Sequence, residues 1–323
     1  MQRVSGLNNL GNTCYLNTTL QCLFRCDDFV KMLMGVNPRP KGRTPPTLHL
    51  KNLALQMNVK DVSSPNVLIS AIEEYAKKQQ HSQFQMLRRQ HDMSEFMLFL
   101  IDFIHTEVER SVSIHIDGKP KDENEKQIIQ SMVQFKGFFA EHYSDLIPLF
   151  FGQYQSSVHT LKSNKFSYNY DPFVTIQLDI PPPSKKSLHL YDCFNHFSET
   201  ESIKTDTGTL HKYIHFWKLP QYLIIVLKRF SYTGRKRNEN IEIPHELDLR
   251  RYTEGPEKFK SRFSLVAVGN HRGSTRGGHY YAFVKDAKSE TWMICNDNTF
   301  RCLNSKKSIS TPFAYCLFYK KVL

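Results

Sequence analysis

Apolar residues recur along this chain with two different periods, and the change from one to the other divides it. Beyond Cys14, Leu16, Leu20 and Leu23 fall at i, i+4 and i+7, which predicts an amphipathic helix with Thr13 at its N-cap. The strongest helical pattern opens at Gln90-His91-Asp92. There Asp92 and Glu95 have the spacing of a capping box, and Phe96, Phe99, Leu100, Phe103, Ile104 and Val108 hold one apolar face. Val36 to Pro46 is rich in Pro, Gly and basic residues and reads as a loop. The first 130 or so residues are thus largely helical, and the pattern changes near Phe150. Val174 to Ile180 alternates and stops at Pro181-Pro182-Pro183, a half-buried strand. Tyr222 to Leu227 is an unbroken β-favouring run, which predicts a strand covered on both faces. Phe263–Val268, Tyr280–Val284 and Trp292–Cys295 are further strands, with a loop expected over Asn270–Gly278. Helices followed by strands, without an internal repeat, indicate an α+β fold.

Composition narrows the class. At 323 residues and 40% hydrophobic, the chain can bury a full core, in one large domain or two small ones. Its start lacks the apolar segment of a signal peptide, and no apolar run approaches the roughly 20 residues needed to cross a bilayer. The 7 cysteines (14, 22, 26, 193, 295, 302 and 316) include no C-x-x-C pair, which fits free thiols in a reducing compartment. The expectation is a soluble intracellular protein, cytoplasmic or nuclear. The net charge of +12 is spread over clusters at Lys185-Lys186, Arg235-Lys236-Arg237 and Arg250-Arg251. These read as solvated loops with at most weak attraction to acidic surfaces, and no nucleic-acid module accompanies them.

Candidate chemistry begins at Cys14. In the first turn of a helix, unpaired N–H groups and the helix dipole favour a thiolate, the form in which cysteine is a nucleophile. Asn9 lies five residues upstream, and its amide could reach over the same spot as an oxyanion donor. An inert core cysteine is the alternative. Far downstream, Gly277 and Gly278 lead directly into His279 at a strand start, and Asn296-Asp297 ends the next strand. Antiparallel neighbours can place His279 beside Asn296, and the imidazole could then take the proton of Cys14. That is a Cys-His-Asn/Asp relay.

These motifs resemble the ubiquitin-specific proteases. Gly6-Leu7-Asn8-Asn9-Leu10-Gly11-Asn12-Thr13-Cys14-Tyr15-Leu16-Asn17 is similar to their cysteine box. Arg276-Gly277-Gly278-His279-Tyr280-Tyr281 with Trp292 through Asp297 is similar to their histidine box. Between these lie Gln90-His91-Asp92-Met93-Ser94-Glu95-Phe96, Leu219-Pro220, Leu227-Lys228-Arg229-Phe230, Ile243-Pro244 and Leu247-Asp248-Leu249. Ala314 to Tyr319 closes the series, so the resemblance runs in family order from residue 6 to 319. It implies a single catalytic domain with a papain-like cysteine protease core. A helical thumb would occupy about 1–149, β-rich fingers about 150–217 and an antiparallel β palm about 218–323. It implies Cys14 as nucleophile, His279 as general base and then acid, and Asn296 as third member. Asn9 matches the oxyanion asparagine and Asp297 a supporting acid. The substrate would be ubiquitin, whose tail ends Arg-Gly-Gly, attached to other proteins.

A tail of two glycines can enter a slot too narrow for a β-carbon, and Gly277 and Gly278 let backbones approach closely. Gln90 belongs to the motif at the slot. Asp92 is expected to meet a tail arginine, to cap its helix, or both. Tyr280 and Tyr281 alternate, so one lines the slot and the other packs inward. No cofactor is implied. Where many family members hold a zinc ion on two C-x-x-C pairs, this chain has Thr160, Ser163, Thr205 and Gly208, none a thiolate or imidazole. His159 and Cys193 lie nearby but isolated, and Cys193 matches a non-ligand position. The loops Ser231–Glu242 and Asn270–Gly278 lie where family members cover the ubiquitin tail, and their glycines and charges suggest gating. Because the cysteine box starts a few residues from Met1, no accessory domain is expected ahead of it. A monomeric enzyme is expected. A degenerate ubiquitin-binding copy and a protease for another modifier ending in Gly-Gly are the alternatives.

Overall fold

The computed structural model describes residues 2–37, 45–182, 188–206, 208–230, 235–274, 277–303 and 309–322. Pro183, the Lys185-Lys186 cluster, Arg276 and most of the Val36–Pro46 loop lie outside the described residues. The chain packs into two compact units. One comprises Met1–Val108, Val226–Ile243 and Val266–Phe318, the other Glu109–Ile225, Pro244–Leu265 and Tyr319–Leu323.

The first unit contains helices α1 (Cys14–Leu23), α2 (Asp27–Gly35), α3 (Pro46–Val59), α4 (Asn66–Lys78) and α5 (Met93–Val108). Helix α1 is predicted to be amphipathic, but every one of its residues is buried. Leu16, Leu20 and Leu23 are fully enclosed, each contributing about 1.5–3 kcal/mol of burial. Its polar side chains are covered because the N-terminal segment supplies partners for them. Gln21 donates to the Ser5 carbonyl at 2.6 Å, and Asn17 to the carbonyls of Leu7 and Asn8 at 3.3 Å. Thr13 stands at the N-cap position but its hydroxyl does not cap the helix. It accepts instead from the Leu10 N–H at 2.9 Å, closing the loop that precedes the helix. In α5 the expected apolar face is present, with Phe96, Phe99 and Phe103 in an aromatic cluster with Phe84 and Tyr75. The capping box is only half formed. Asp92 accepts from the Ser94 and Glu95 N–H groups at 2.7 and 3.1 Å, while the Glu95 carboxylate turns to Gln83.

Helix α1 packs on the strand Gly277–Lys285. The sheet order there is Thr299–Cys302, Trp292–Asn296, Gly277–Lys285, Arg262–Ser274, Ala314–Lys321, Tyr222–Lys228. Tyr222 to Leu227 are all buried, as their unbroken apolar run requires. Asn270–Gly278 is not the expected loop. Asn270 to Ser274 continue one strand and Gly277 begins the next, in the register His271↔Tyr280 and Gly273↔Gly278. Polar and glycine-rich composition suggested a loop, but in-register backbone pairing carries the described residues of this stretch into two antiparallel strands.

In the second unit, α6 (Glu123–Phe139), α7 (Ile147–Phe150) and α8 (Leu190–Phe197) accompany a four-stranded antiparallel sheet. Its order is Lys165–Phe173, Gly152–Thr160, Gly208–Lys218, Glu201–Thr205. Helix α6 is capped by Asp122, which accepts from the Glu125 N–H at 2.8 Å. It is tied to the sheet by Gln130 and Gln134, which bond the backbone of Tyr168 and Tyr170 at 2.7 and 2.6 Å. Tyr154 stacks on Phe173, ring centres 4.2 Å apart. The alternating segment predicted over Val174–Ile180 forms the strand Thr175–Asp179. The four positions considered for zinc lie at hairpin ends, where the Thr205 hydroxyl donates to the Gly208 carbonyl at 2.8 Å. His159 stacks on Phe166, and Cys193 is buried. Among the described residues, no group of three or more His, Cys, Asp and Glu is placed to hold a metal ion. Nor is any described helix long and apolar enough to cross a membrane.

Candidate active site

The ten residues expected to catalyse or bind substrate all fall in the first unit. Cys14 opens α1, nearly buried. His279 lies three positions into the strand Gly277–Lys285, and Asn296 ends the adjacent antiparallel strand. The Ala282↔Cys295 register brings the imidazole to the amide, and His279 Nε2 lies 2.5 Å from Asn296 Oδ1. An amide oxygen only accepts, so Nε2 carries a hydrogen and Nδ1 is left for the thiol. The hydrogen bond with Cys14 is the main cause that raises His279 from its usual range to about 9. Asn296 and the negative charges of Cys14 and Asp297 act in the same direction, against the desolvation of the ring.

Asp297 sits in the turn after Asn296 with φ 49°, a left-handed conformation in which Asp and Asn are enriched. Its backbone and both carboxylate oxygens stitch that turn to the cysteine box. The carbonyl accepts from the Leu7 N–H at 2.8 Å, Oδ1 from Asn17 at 2.8 Å and Oδ2 from Asn9 at 2.9 Å. Asn9 is thereby fixed at both ends, since its Oδ1 accepts from the Thr13 N–H at 3.2 Å. One hydrogen of its amide is used on Asp297, leaving the second for a ligand. Gly6 is glycine for the same junction, because a Cβ there would stand 2.4 Å from the Asn298 carbonyl oxygen. Asn17 was missed as a site residue. Although it stands three residues after Cys14, at the end of the cysteine box, nothing in the sequence signals its contact with Asp297.

A cleft of about 440 Å³ extends from Cys14 and is lined by Gln90, Asp92, Gly277, Gly278 and Tyr280, with Phe230 and His271. All five expected substrate contacts therefore surround one space. Asp92 Oδ2 accepts from the hydroxyls of Tyr315 at 2.8 Å and Tyr280 at 3.2 Å, while its Oδ1 serves the start of α5. Both carboxylate oxygens are occupied from within the protein, yet every donor is neutral, so the negative charge has no cation beside it in this network. Burial pushes the phenols of Tyr280 and Tyr315 far above their usual range and keeps them donors. Tyr281, on the other face of the strand, packs against Phe283. Gly277 has φ 157°, and a Cβ there would meet Gln90 Oε1 at 3.0 Å. At Gly278 a Cβ would stand 2.3 Å from His271 Nε2, so this glycine first makes room for an internal ring.

The Arg235-Lys236-Arg237 cluster is not simply solvated. Lys236 Nζ lies 2.9 Å from His271 Nδ1 and donates to the His271 carbonyl at 2.6 Å, and Arg237 pairs with Glu239 at 2.7 Å. Arg229, fully buried, holds this segment by donating to the carbonyls of Arg237 and Glu239 at 3.0 and 3.1 Å. Both His271 and Lys236 escaped the sequence reading, one hidden in an apparent loop and the other in an apparent surface charge run.

Comparison with known proteins identifies relatives of this chain. The chain is 28% identical to ubiquitin carboxyl-terminal hydrolase 5 of Saccharomyces cerevisiae, over 99% of this chain and 45% of that protein. It is likewise 28% identical to human ubiquitin carboxyl-terminal hydrolase 2, over 99% of this chain and 55% of that one. It thus spans about half the length of these relatives. The SAGA DUB module of Ubp8, Sgf11, Sus1 and Sgf73 bound to monoubiquitin has the same fold. The match has a TM-score of 0.76 at 23% identity, covering 99% of this chain and 69% of that one. The same module bound to ubiquitin aldehyde matches with a TM-score of 0.75 at 23% identity, covering 99% of this chain and 70% of that one. Residues 5–319 match the family described as ubiquitin carboxyl-terminal hydrolase. With this match across nearly its whole length, the chain belongs to that family, among the ubiquitin-specific proteases its motifs resemble.

Proposed function

We propose that this chain is a thiol-dependent deubiquitinase that cleaves isopeptide and peptide bonds after the C-terminal glycine of ubiquitin. The observation that carries the reading is the hydrogen-bonded series Cys14, His279, Asn296 at the end of a cleft flanked by two glycines. In this reading His279 holds the proton of Cys14, and the thiolate attacks the carbonyl carbon of the last glycine. The Asn9 amide and backbone N–H groups at the start of α1 stabilise the oxyanion. Collapse of the tetrahedral adduct expels the lysine amine, which takes its proton from His279 and leaves a thioester on Cys14. His279 then accepts a proton from water as that water attacks the thioester, restoring the thiol and releasing the carboxylate. Asn296 orients the imidazole, and Asp297 supports the site by holding Asn9 and Asn17. The unpaired negative charge of Asp92 suits a tail arginine without leaving its helix-capping place. Family membership and the ubiquitin named in the neighbouring structures support this substrate class.

The test is reaction of the protein with a ubiquitin C-terminal electrophile, followed by mass mapping. A single adduct on Cys14, absent after Cys14→Ala, is expected. An adduct on another of the cysteines, or none, would overturn the assignment.

A further inference from the structure

His271 and Lys236 have no part in the bond-breaking steps above, yet His271 lines the cleft and Lys236 is bonded to it. Lys236 is placed by neighbours rather than by chance. Buried Arg229 grips the backbone just after it, at Arg237 and Glu239, and the Lys236 ammonium lies 5.7 Å from the centre of the Phe230 ring. It faces both the ring and the carbonyl of His271, at 2.9 and 2.6 Å. An ammonium group only donates, so His271 Nδ1 must accept, and a neutral imidazole that accepts at Nδ1 carries its hydrogen on Nε2. Nε2 makes no hydrogen bond among the described residues and packs over Gly278, where a side chain would collide with it. The ring packs against Tyr280, tilted, and Phe230, edge-on, with centroids 4.5 and 5.3 Å away, and both contacts oppose its rotation.

We propose that Lys236 and His271 form a tautomer lock that presents a fixed Nε2–H to a glycine backbone carbonyl of the peptide tail in the cleft. His271 is then a substrate-binding residue and Lys236 a positioning residue, a role that rests on the cleft being the tail slot. The surroundings favour the neutral ring this requires. Burial, and next the charge of Lys236, hold His271 down at about 4, with Asp92 opposing and His279 assisting. Burial and then Arg229 hold Lys236 down at about 8, so it remains mostly protonated at neutral pH. A carbonyl is the matching acceptor because a tail without side chains offers nothing else at that depth.

Two measurements on the whole chain test this. Two-dimensional ¹⁵N–¹H spectra of the histidine rings at neutral pH, assigned with His271→Gln, should show His271 as the Nε2–H tautomer. Lys236→Met should let it exchange with the other tautomer, while Lys236→Arg preserves it. A ring found with its hydrogen on Nδ1, or doubly protonated, overturns the lock. In steady-state kinetics on a ubiquitin C-terminal fluorogenic amide, Lys236→Met should raise KM about five- to tenfold with kcat nearly unchanged, the size of one lost neutral hydrogen bond. Lys236→Arg should stay near wild type. The same rise is expected on a short peptide amide ending Arg-Gly-Gly. An unchanged KM on both substrates in Lys236→Met overturns the inference and leaves the deubiquitinase reading standing. A wild-type protein inert toward both amides would instead sink that reading, and this inference with it.

Discussion

At the reactive end of the cleft, Cys14, His279 and Asn296 are joined in one line, and Asn296 is exposed. At the opposite wall, Asp92, Tyr280, Tyr315 and Ser94 share hydrogen bonds among mostly buried groups, and His271 is wedged between two rings. The first arrangement concentrates charge and has few supports. The second is neutral apart from one carboxylate and one ammonium, and each member has several partners. Reactivity needs a proton that can leave and return, so its holders must be lightly bound. A slot for a featureless tail needs walls that do not move. Substitutions at the two ends should therefore damage different quantities.

The largest effect belongs to the reactive end. Cys14→Ala should lower turnover of a ubiquitin amide on the order of 10⁶-fold, the scale of losing a nucleophile. Its melting temperature and ubiquitin affinity should stay close to wild type. Asn296→Ala should cost on the order of 10²-fold or more in kcat through a disordered imidazole, again at near-constant stability. If either variant unfolded instead, the contrast between a lightly held and a firmly held end would fail. At the other wall, Asp92→Ala removes the acceptor for the Ser94 and Glu95 N–H groups and for two tyrosine hydroxyls. A loss of about 3 kcal/mol in denaturant unfolding is expected, from a lost cap and underbonded buried hydroxyls. A drop in activity without that loss of stability would mean that Asp92 serves substrate alone.

What could be read from the sequence follows the same divide. The reactive residues announce themselves because each needs a local environment with a short signature: a loop turning into a helix at Cys14, glycines before His279, a strand ending at Asn296. Strand pairing then brings them together, and period-2 patterning finds strands well. One part of the slot's wall, His271 with the Lys236 bonded to it, does not announce itself. His271 lies in Asn270-His271-Arg272-Gly273-Ser274, a composition that suggests a loop but pairs as a strand, and Lys236 lies in a basic run. Their meeting joins positions 35 residues apart and depends on buried Arg229 gripping the segment just after Lys236, contacts with no periodicity to reveal them. Thr13 and α1 misled for a related reason. The preceding loop took over the Thr13 hydroxyl, and the N-terminal segment took over hydrogen bonds of α1 side chains that local rules assign to water.

Gly278 tests how tightly the firm wall is packed. Gly278→Ala would push a methyl to 2.3 Å from His271 Nε2 and 2.6 Å from the Arg272 carbonyl oxygen. A destabilisation of about 1–3 kcal/mol is expected, as for overpacking elsewhere. Adding His271→Ala should recover part of it, a coupling that a double-mutant cycle would measure. No coupling would mean that the backbone carbonyl alone dictates the glycine, and that the imidazole yields freely.

The smallest effect is a pH dependence, and it sets one histidine directly against the other. His279 is raised to about 9 from an ordinary value near 6.5, so the folded state binds the extra proton between those values. Its contribution to stability is complete below about 6.5 and is lost as pH rises through about 9. Amide hydrolysis should fall along an upper limb near the same pH, as the imidazolium that protonates the leaving amine disappears. His271 is lowered to about 4, so between there and about 6.5 the unfolded chain binds the proton that the folded chain refuses. Stability should therefore decline as pH falls through that window. Melting temperatures from pH 4 to 10 should dip by a few degrees at each end. His279→Gln should flatten the alkaline dip alone, and His271→Gln the acid one alone. If either substitution flattened both, the two histidines would be one coupled system, and the lightly held and firmly held ends of the cleft would not be separable.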